Sequence, residues 1–348
     1  MIPVAVIGAG PAGLAVAREL GRRGVGAVIL EAEQPLAGLR RIDPAQALVS
    51  PPGLSGLPGQ RWARGPLTFG GLVAGLEAWR VREGLEVRTG CRVDAVRRTP
   101  GGFALATSQG EVQARIVVAC VGIVSQPALP PDPGPTPVPW WHARDVRAAD
   151  VQGRRALLVV GGGVSAGEVL ALWLAQAAPT DQAWLALRGP LRTAPHRVLG
   201  LNTHYLAWPF EFLPGRVGGR RLGLAHEPLL DRDAQRAIRR GRVEKVSGFK
   251  AFEGGGVRLA DGRVCTPDAV VFATGYHHRT PVDDLLRFDP DGWPILRRCA
   301  AAPDLYVLGM RYGGSLASPF LRGIARDARS VARRIARGVV RSDTPGSG

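Results

Sequence analysis

The 348-residue sequence lacks the features that mark several classes of protein. Its four cysteines are Cys91, Cys120, Cys265 and Cys299, and no two of them are spaced as C-x-x-C, which argues against a dithiol redox centre and a zinc site. No histidine has metal-ligand spacing, so no metal is expected. No apolar run reaches the ~18 residues of a membrane span. Because the N-terminus also lacks a signal-peptide layout, we expect a cytoplasmic protein.

Lysine is almost missing from the sequence. Only Lys245 and Lys250 occur, so arginine supplies 43 of the 45 basic residues behind the formal net charge of +16. A charge of this size is found in nucleic-acid-binding proteins. Here the arginines are spread along the whole chain and accompany no nucleic-acid motif, so we interpret them as a compositional bias and expect no nucleic-acid partner. A general attraction to anionic substrates or cofactors remains open.

A glycine-rich turn follows directly on the first apolar segment. Residues 2–7 predict a buried parallel strand, and the apolar spacing over 14–24 predicts a helix. In such a G-x-G-x-x-G turn, the glycines permit the tight bend, the approach of a pyrophosphate and the packing of helix on strand. The next predicted strand, 27–30, ends on an acid that can bind a ribose. The residues assigned to this nucleotide are Gly8, Gly10, Pro11, Ala12, Gly13 and Glu31.

The same pattern recurs in mid-chain. A strand is predicted at 156–160, a helix from Glu168 to about Ala178, and a second strand at 183–187. That second strand ends on arginine, which can pair with a 2′-phosphate; this favours NADPH, with NADH as the alternative. The other interpretation of this arginine is a solvated surface side chain. The residues assigned to the second nucleotide are Gly161, Gly163, Val164, Ser165 and Arg188.

The two motifs lie about 150 residues apart and indicate two different nucleotides. We expect the N-terminal motif to hold a tightly bound FAD and the internal motif an exchanging nicotinamide cofactor.

Two further apolar segments, 116–122 and 269–276, each open into a turn of small residues. In this respect the chain resembles the two-dinucleotide-binding-domain flavoproteins, whose A-T-G pattern is matched here by Ala273, Thr274 and Gly275. The resemblance implies that these three residues contribute to cofactor binding.

Within that superfamily, the chain is most similar to the small bacterial flavin-containing monooxygenases, over roughly residues 1–335. The S-P…L-P-G segment at 50–59 resembles the family's loop near the flavin. The segment 305–310 and a helix expected around Ser318 resemble the last strand and the flavin-facing helix. The resemblance implies that Gly309 and Ser318 lie near the flavin ring, where the positive end of that helix would stabilise the reduced flavin.

The family's FxGxxxHxxx(Y/F) fingerprint is reduced to one residue. His142 keeps the histidine position, but Thr136, Val138 and Val146 replace the phenylalanine, the glycine and the final aromatic residue. These departures lie outside both nucleotide motifs and leave the FAD and nicotinamide assignments intact.

The fold class expected is α/β, with two Rossmann-like dinucleotide-binding domains, the NAD(P)H domain being inserted into the FAD domain. The Pro-rich stretch 127–139 suits a domain junction, and 206–216 is expected as a loop over the active site. The boundaries predicted are 1–135 and 270–338 for the FAD domain, 136–269 for the NAD(P)H domain and 339–348 for a disordered tail.

The chemistry is expected on the flavin, and no catalytic side chain is assigned. The leading hypothesis is a monooxygenase-like oxidoreductase that passes hydride from NADPH to FAD, and electrons then to oxygen and a small organic substrate. A second is an NADPH-dependent flavin reductase of a small disulfide, quinone or other acceptor. A third is a flavoprotein redox sensor without useful turnover.

Overall fold

The structure, a computed structural model, describes residues 1–60, 62, 65–123, 126–130, 136, 138–217, 220–222, 228–277 and 279–343. In this part of the chain the helices are α1 (Pro11–Gly21), α2 (Ala37–Arg40), α3 (Phe69–Arg82), α4 (Ala148–Val151), α5 (Val164–Leu174), α6 (Thr203–Glu211), α7 (Arg232–Arg239) and α8 (Leu321–Asp343). The strands are β1 (Ile2–Ile7), β2 (Ala27–Leu30), β3 (Val87–Arg88), β4 (Val93–Thr99), β5 (Gly102–Thr107), β6 (Gly110–Ala119), β7 (Gln126–Pro127), β8 (Trp140–His142), β9 (Ala156–Val160), β10 (Gln182–Leu187), β11 (Arg197–Val198), β12 (Leu201–Asn202), β13 (Arg216–Val217), β14 (Arg220–Arg221), β15 (Val243–Ser247), β16 (Phe249–Glu253), β17 (Gly256–Leu259), β18 (Val264–Cys265), β19 (Ala269–Phe272), β20 (Tyr276–His277), β21 (Ala300–Ala302) and β22 (Leu305–Val307).

The first sheet has the strand order β21-β22-β6-β1-β2-β3, and the β4–β5 hairpin joins it through β6. Strands β22, β6, β1, β2 and β3 are parallel to one another. The last four residues of β1 are fully or almost fully buried. Val4 and Val6 pack in the cluster that α1 and α8 form on one face of the sheet, and Ala5 and Ile7 pack in a second cluster on the other face. The strand order reverses at β1: the chain continues from β1 to β2 on one side, and a later strand, β6, lies on the other side. At such a point the connections diverge, and a crevice forms at the carboxyl ends of the strands.

The second sheet repeats this arrangement with five parallel strands in the order β15-β10-β9-β19-β8. Here β9 takes the place of β1, flanked by the next strand, β10, and by the late strand β19. Helices α5 and α7 pack on one face. On the other face, Phe249 and Phe252 of β16 contact Phe272 of β19 edge to face. The α/β fold class predicted from the sequence is confirmed, and the assigned domain boundaries stay a prediction.

The strands around the glycine motifs are predicted well. Those at 2–7, 27–30 and 156–160 are confirmed residue for residue, and β10 begins one residue before the expected 183. Both following helices begin earlier than expected: α1 at Pro11, and α5 at Val164 rather than Glu168. The apolar periodicity marks only the part of a helix that packs on the sheet, so it misses the first turn beside the glycines.

Three expectations further along the chain are wrong. The segment 206–216 is not a loop throughout, because its first six residues belong to helix α6, which ends at Glu211. The side chain of Asn202 caps the N-terminus of this helix. The C-terminal helix begins at Leu321 and not around Ser318. It also continues to Asp343, past the expected start of a disordered tail at 339. The Pro-rich junction 127–139 lies largely outside the described residues.

Candidate nucleotide-binding sites

The turn after β1 requires two of its glycines for steric reasons. Gly8 has φ +100°, and a Cβ there would lie 2.7 Å from the carbonyl oxygen of Cys120 at the end of β6. A Cβ on Gly13 would lie 1.9 Å from the carbonyl oxygen of Gly8. At these two positions β1, β6 and α1 therefore lie too close together for any residue larger than glycine.

The middle glycine has a different environment. A Cβ on Gly10 would meet no atom within 4 Å. Gly10 is also the N-cap of α1, and no side chain caps the helix there. In the first turn, Pro11 has no N–H, and the N–H groups of Ala12 and Gly13 have no side-chain cap, while the space beside Gly10 is open. This cradle fits the pyrophosphate of FAD, which would accept hydrogen bonds from backbone N–H groups at the positive end of the helix.

Glu31 lies beside this turn in a fixed orientation. Its Oε2 accepts a hydrogen bond of 2.7 Å from the N–H of Ala9, and its Oε1 accepts one of 3.0 Å from the N–H of Glu33. The side chain is half-buried. Since a carboxylate oxygen can accept more than one hydrogen bond, the group retains capacity for the hydroxyls of a ribose.

The two residues assigned from the C-terminal part differ in position. Gly309 has φ +80°, and a Cβ there would lie 2.9 Å from that of Ala12, so the end of β22 joins the first turn of α1. Ser318 is fully buried in a different arrangement. Its Oγ accepts hydrogen bonds from the N–H groups of Gly314 and Ser315 and donates one of 2.6 Å to Asp327. This hydroxyl therefore ties the preceding loop to α8, and it lies before the helix rather than at its start.

The second glycine turn repeats the geometry of the first. Gly161 has φ +125°, and a Cβ there would lie 2.2 Å from the carbonyl oxygen of Ala273 at the end of β19. Helix α5 starts from Gly163 with no side-chain cap, and Val164 and Ser165 form its first turn. The third glycine of the motif is replaced by Ala166, which is fully buried. The turn thus offers a second set of uncapped N–H groups to a phosphate.

Arg188 directly follows β10, and its side chain is exposed. Within the described residues it makes no ion pair, and a Cβ on Gly248 would lie 3.3 Å from its Cγ. The arginine thus stands at the position where an acid follows β2 in the first sheet. Its guanidinium is available to an anion, which fits the 2′-phosphate of NADPH.

The A-T-G residues lie where the chain passes between the two sheets. The Thr274 hydroxyl donates to the carbonyl of Ala128, and the N–H of Ala128 donates to the carbonyl of Gly275 at 2.9 Å. The same carbonyl accepts a hydrogen bond of 3.0 Å from Nε2 of His142. Since Nδ1 of this histidine accepts from the N–H of Arg144, the neutral ring with a proton on Nε2 fits both contacts. Burial lowers the pKa of His142.

Several polar contacts between α6 and distant segments of the chain have no signature in the sequence. Oγ of Ser50 and Nδ1 of His204 are 2.7 Å apart. Arg322 pairs with Glu211 through two hydrogen bonds of 2.5 Å, and the arginine side chain is 6% exposed. These contacts connect α6 to the segment around 50 and to α8. Motif analysis singles out neither His204 nor Arg322, because nothing in their local sequence indicates a partner more than 100 residues away.

All four cysteines are buried. Burial raises the pKa of the thiols of Cys120, Cys265 and Cys299. A buried thiol of raised pKa is a poor nucleophile, so none of these three is suited to thiol–disulfide exchange.

The comparisons with known proteins agree with this geometry. A family model described as "FAD binding domain" matches residues 1–42, and one described as "Pyridine nucleotide-disulphide oxidoreductase" matches 76–180. Indole-3-pyruvate monooxygenase YUCCA1 of Oryza sativa subsp. japonica is 28% identical over 381 aligned residues, covering 96% of this chain and 91% of the rice protein. The chain is thus similar to a monooxygenase over almost its whole length. Three Arabidopsis thaliana proteins, each named "Probable indole-3-pyruvate monooxygenase", also match it over 95% of its length.

Solved structures establish the fold independently. The flavin-containing monooxygenase from Stenotrophomonas maltophilia superimposes with a TM-score of 0.77 at 23% identity, covering 97% of this chain and 99% of that one. The bacillithiol disulfide reductase Bdr from Bacillus cereus superimposes with a TM-score of 0.73 at 17% identity, covering 97% and 99%. The fold is therefore that of the two-dinucleotide-binding-domain flavoproteins.

These relatives confirm the resemblance to flavin monooxygenases, the pair of nucleotide-binding folds and the assignment as an FAD- and NAD(P)H-dependent oxidoreductase. No helix in the described ranges has the length and apolarity that a bilayer span requires. The individual site residues stay predictions, which the geometry above makes specific.

Proposed function

We propose that this flavin monooxygenase homologue is a cytoplasmic enzyme that uses NADPH and oxygen to oxygenate a small organic substrate. The observation that carries the proposal is the match to a monooxygenase along 96% of this chain and 91% of the relative. A match of that extent includes both nucleotide turns and the connections between them.

The residues divide into two binding sets. Gly8, Gly10, Gly13 and Glu31 would hold FAD through its pyrophosphate and ribose, with Gly309 closing the same turn. Bound FAD would supply the redox chemistry, as the hydride acceptor and the group that reacts with oxygen. The work of the chain is to bind both nucleotides and to keep water from the space between them.

The second set orients the nicotinamide cofactor. The uncapped first turn of α5 would bind its pyrophosphate, and Arg188 would bind the 2′-phosphate. Gly161 packs against Ala273, and the strand that follows the A-T-G residues, β20, pairs with β7, so this site adjoins the connection between the two sheets.

A reductase is the second candidate, and the superposition with a bacillithiol disulfide reductase favours it. A dithiol relay does not fit this chain, since all four cysteines are buried and no two are spaced as C-x-x-C. Direct reduction of a disulfide or quinone by flavin remains as the alternative reaction.

The test is product analysis under labelled oxygen. The FAD-loaded protein is incubated with NADPH, ¹⁸O₂ and a panel of 2-oxo acids, amines, sulfides and ketones, starting with indole-3-pyruvate, the compound in the names of the full-length relatives. Incorporation of ¹⁸O into a product with a matching consumption of NADPH supports the proposal. NADPH oxidation that yields only hydrogen peroxide, together with rapid reduction of disulfides or quinones, would identify a reductase instead.

A further inference from the structure

Exposed apolar side chains are concentrated in one short part of the chain. In the described residues, fifteen large apolar side chains are exposed, and nine of them fall within 198–217. We call these nine side chains the apolar patch. Leu199, with 98% of its surface exposed, and Phe210, with 67%, are its most exposed members. Large exposed apolar side chains concentrated in one segment indicate a surface that meets an apolar partner.

The central helix of the patch, α6, has its polar side chains turned inward. His204 and Glu211 are seven residues apart, on one helix face, and contact Ser50 and Arg322 of the protein body. Leu206 and Phe210, four residues apart, lie on the opposite face and are exposed, and the side chains of Tyr205 and Trp208 are exposed as well. A surface helix in water normally shows the reverse pattern, with its apolar face turned to the core.

The hairpin before α6 presents an apolar side chain at its tip. Leu199 and Gly200 form the two-residue turn between β11 and β12, and both are left-handed, with φ of +48° and +80°. Asn-Gly is the sequence that such turns favour, because a left-handed leucine is strained. The chain thus accepts backbone strain to hold a leucine in the most exposed position of the patch.

The charge of this region selects among the partners that an apolar patch fits. Between 188 and 222 the sequence has six arginines and one acid, Glu211, which is already paired with Arg322. Arg216 and Arg221 pair with Asp289 and Asp291, so the excess positive charge of this segment comes from the other four arginines. Arg197 and Arg220 flank the patch and are exposed. A second copy of this chain, with a net charge of +16, would bring like charges together. An anionic lipid surface complements both the apolar side chains and the arginines.

We propose that the apolar patch and its flanking arginines dock this protein on the surface of an anionic lipid bilayer. Leu199 and the outer face of α6 enter the boundary between headgroups and acyl chains, and the arginines bind lipid phosphates. This interfacial binding requires no membrane-spanning helix. It is independent of the reaction proposed above.

The test is co-sedimentation of the FAD-loaded protein with vesicles at low salt. Vesicles of phosphatidylcholine alone are compared with vesicles of equal parts phosphatidylcholine and phosphatidylglycerol. We expect binding to the mixed vesicles, weakened by salt. The double variant Leu199→Asn, Phe210→Ser should have a partition coefficient between water and the mixed vesicles more than about tenfold lower than that of the wild type. Two large apolar side chains no longer enter the bilayer in this variant. Arg197→Gln and Arg220→Gln each lower it about fivefold, on anionic vesicles only.

Matched variants keep the result interpretable. Val81→Asn removes an apolar side chain that is 62% exposed on α3, away from the patch, and leaves vesicle binding unchanged. Leu199→Asn alone suits the left-handed turn, so a folded variant is expected even if Phe210→Ser is unstable. Equal sedimentation of wild type and the Leu199→Asn variant, or no sedimentation with either vesicle, overturns the proposal. A dimer in light scattering that Leu199→Asn converts to a monomer also overturns it, in favour of a second copy on the patch.

Discussion

The carboxylate of Glu31 accepts a 2.7 Å hydrogen bond from the backbone N–H of Ala9, inside the first glycine turn. The acid at the end of β2 is thereby fixed to the turn after β1, before any nucleotide binds. A preorganised acceptor binds a ligand without a further loss of side-chain entropy.

Glu31→Gln is expected to weaken FAD binding. The change removes the charge from an acceptor of ribose hydroxyls, and hydrogen bonds to charged groups contribute about 1.5–3 kcal/mol, so the Kd for FAD should rise about 10–100-fold. Fluorescence titration of the apoprotein with FAD measures this. Glu33→Gln, two residues away and exposed, is the matched control and should bind FAD normally. An unchanged Kd in Glu31→Gln would remove this residue from the FAD site.

The glycines of the first turn are expected to separate folding from binding. Gly13→Ala places a Cβ 1.9 Å from the backbone of Gly8 and should lower the Tm of the apoprotein. Gly10→Ala meets no protein atom within 4 Å, so the apoprotein should keep its Tm while the Kd for FAD rises by more than about tenfold, ~1.4 kcal/mol. Gly21→Ala, on the same helix and in open space, is the control, and it should neither lower the Tm of the apoprotein nor raise the Kd for FAD. Normal FAD binding by Gly10→Ala would contradict the pyrophosphate assignment.

Arg188→Gln is expected to reduce the preference for NADPH over NADH. The loss of an ion pair with the 2′-phosphate, worth about 1.5–3 kcal/mol, should lower the ratio of the two kcat/KM values about 10–100-fold. Steady-state kinetics of NADPH and NADH oxidation with FAD-loaded enzyme measure this ratio. Arg155→Gln, at the opposite end of β9 and 79% exposed, is the control. If both variants keep the wild-type ratio, Arg188 is a solvated surface residue.

His142 is expected to make stability depend on pH. Burial lowers its pKa in the folded state, so below pH 6.5, the ordinary value, the unfolded chain binds a proton that the folded chain does not. The free energy of unfolding should therefore fall as the pH drops below that value. In His142→Gln this decline should be shallower, measured by urea denaturation between pH 7 and 5. His277→Gln, exposed, should follow the wild-type curve. Parallel curves for His142→Gln and wild type would contradict a lowered pKa of His142 in the folded protein.

Ser318→Ala distinguishes a structural role from a flavin contact. The variant leaves the N–H groups of Gly314 and Ser315 and the carboxyl of Asp327 without this partner, at a cost of about 1–3 kcal/mol for each buried group left unsatisfied. We expect a lower Tm with an unchanged visible spectrum of bound FAD. Ser330→Ala, exposed on α8, is the control. A shifted flavin spectrum at unchanged Tm would place the hydroxyl beside the ring.

The sequence predicts the two nucleotide turns because their requirements are local. A buried parallel strand, a glycine with positive φ and a helix that begins without a side-chain cap all follow from residues within about 20 positions of one another. For the same reason, the bounds of β1, β2 and β9 are predicted without error. The polar end of the second strand, Glu31 in one motif and Arg188 in the other, is also a local feature.

The rest is decided by contacts between distant segments. Ser318 looks like the start of a helix in the sequence, but its hydroxyl binds Asp327, and the helix begins three residues later. The segment that contains α6 carries a proline and many apolar residues, which gave no usable pattern. Its conformation depends on His204 reaching Ser50 and Glu211 reaching Arg322. Local sequence determines where backbone turns and strands form, because steric limits act between neighbours. Tertiary structure alone decides which face of α6 meets water, because its polar partners lie more than 100 residues away.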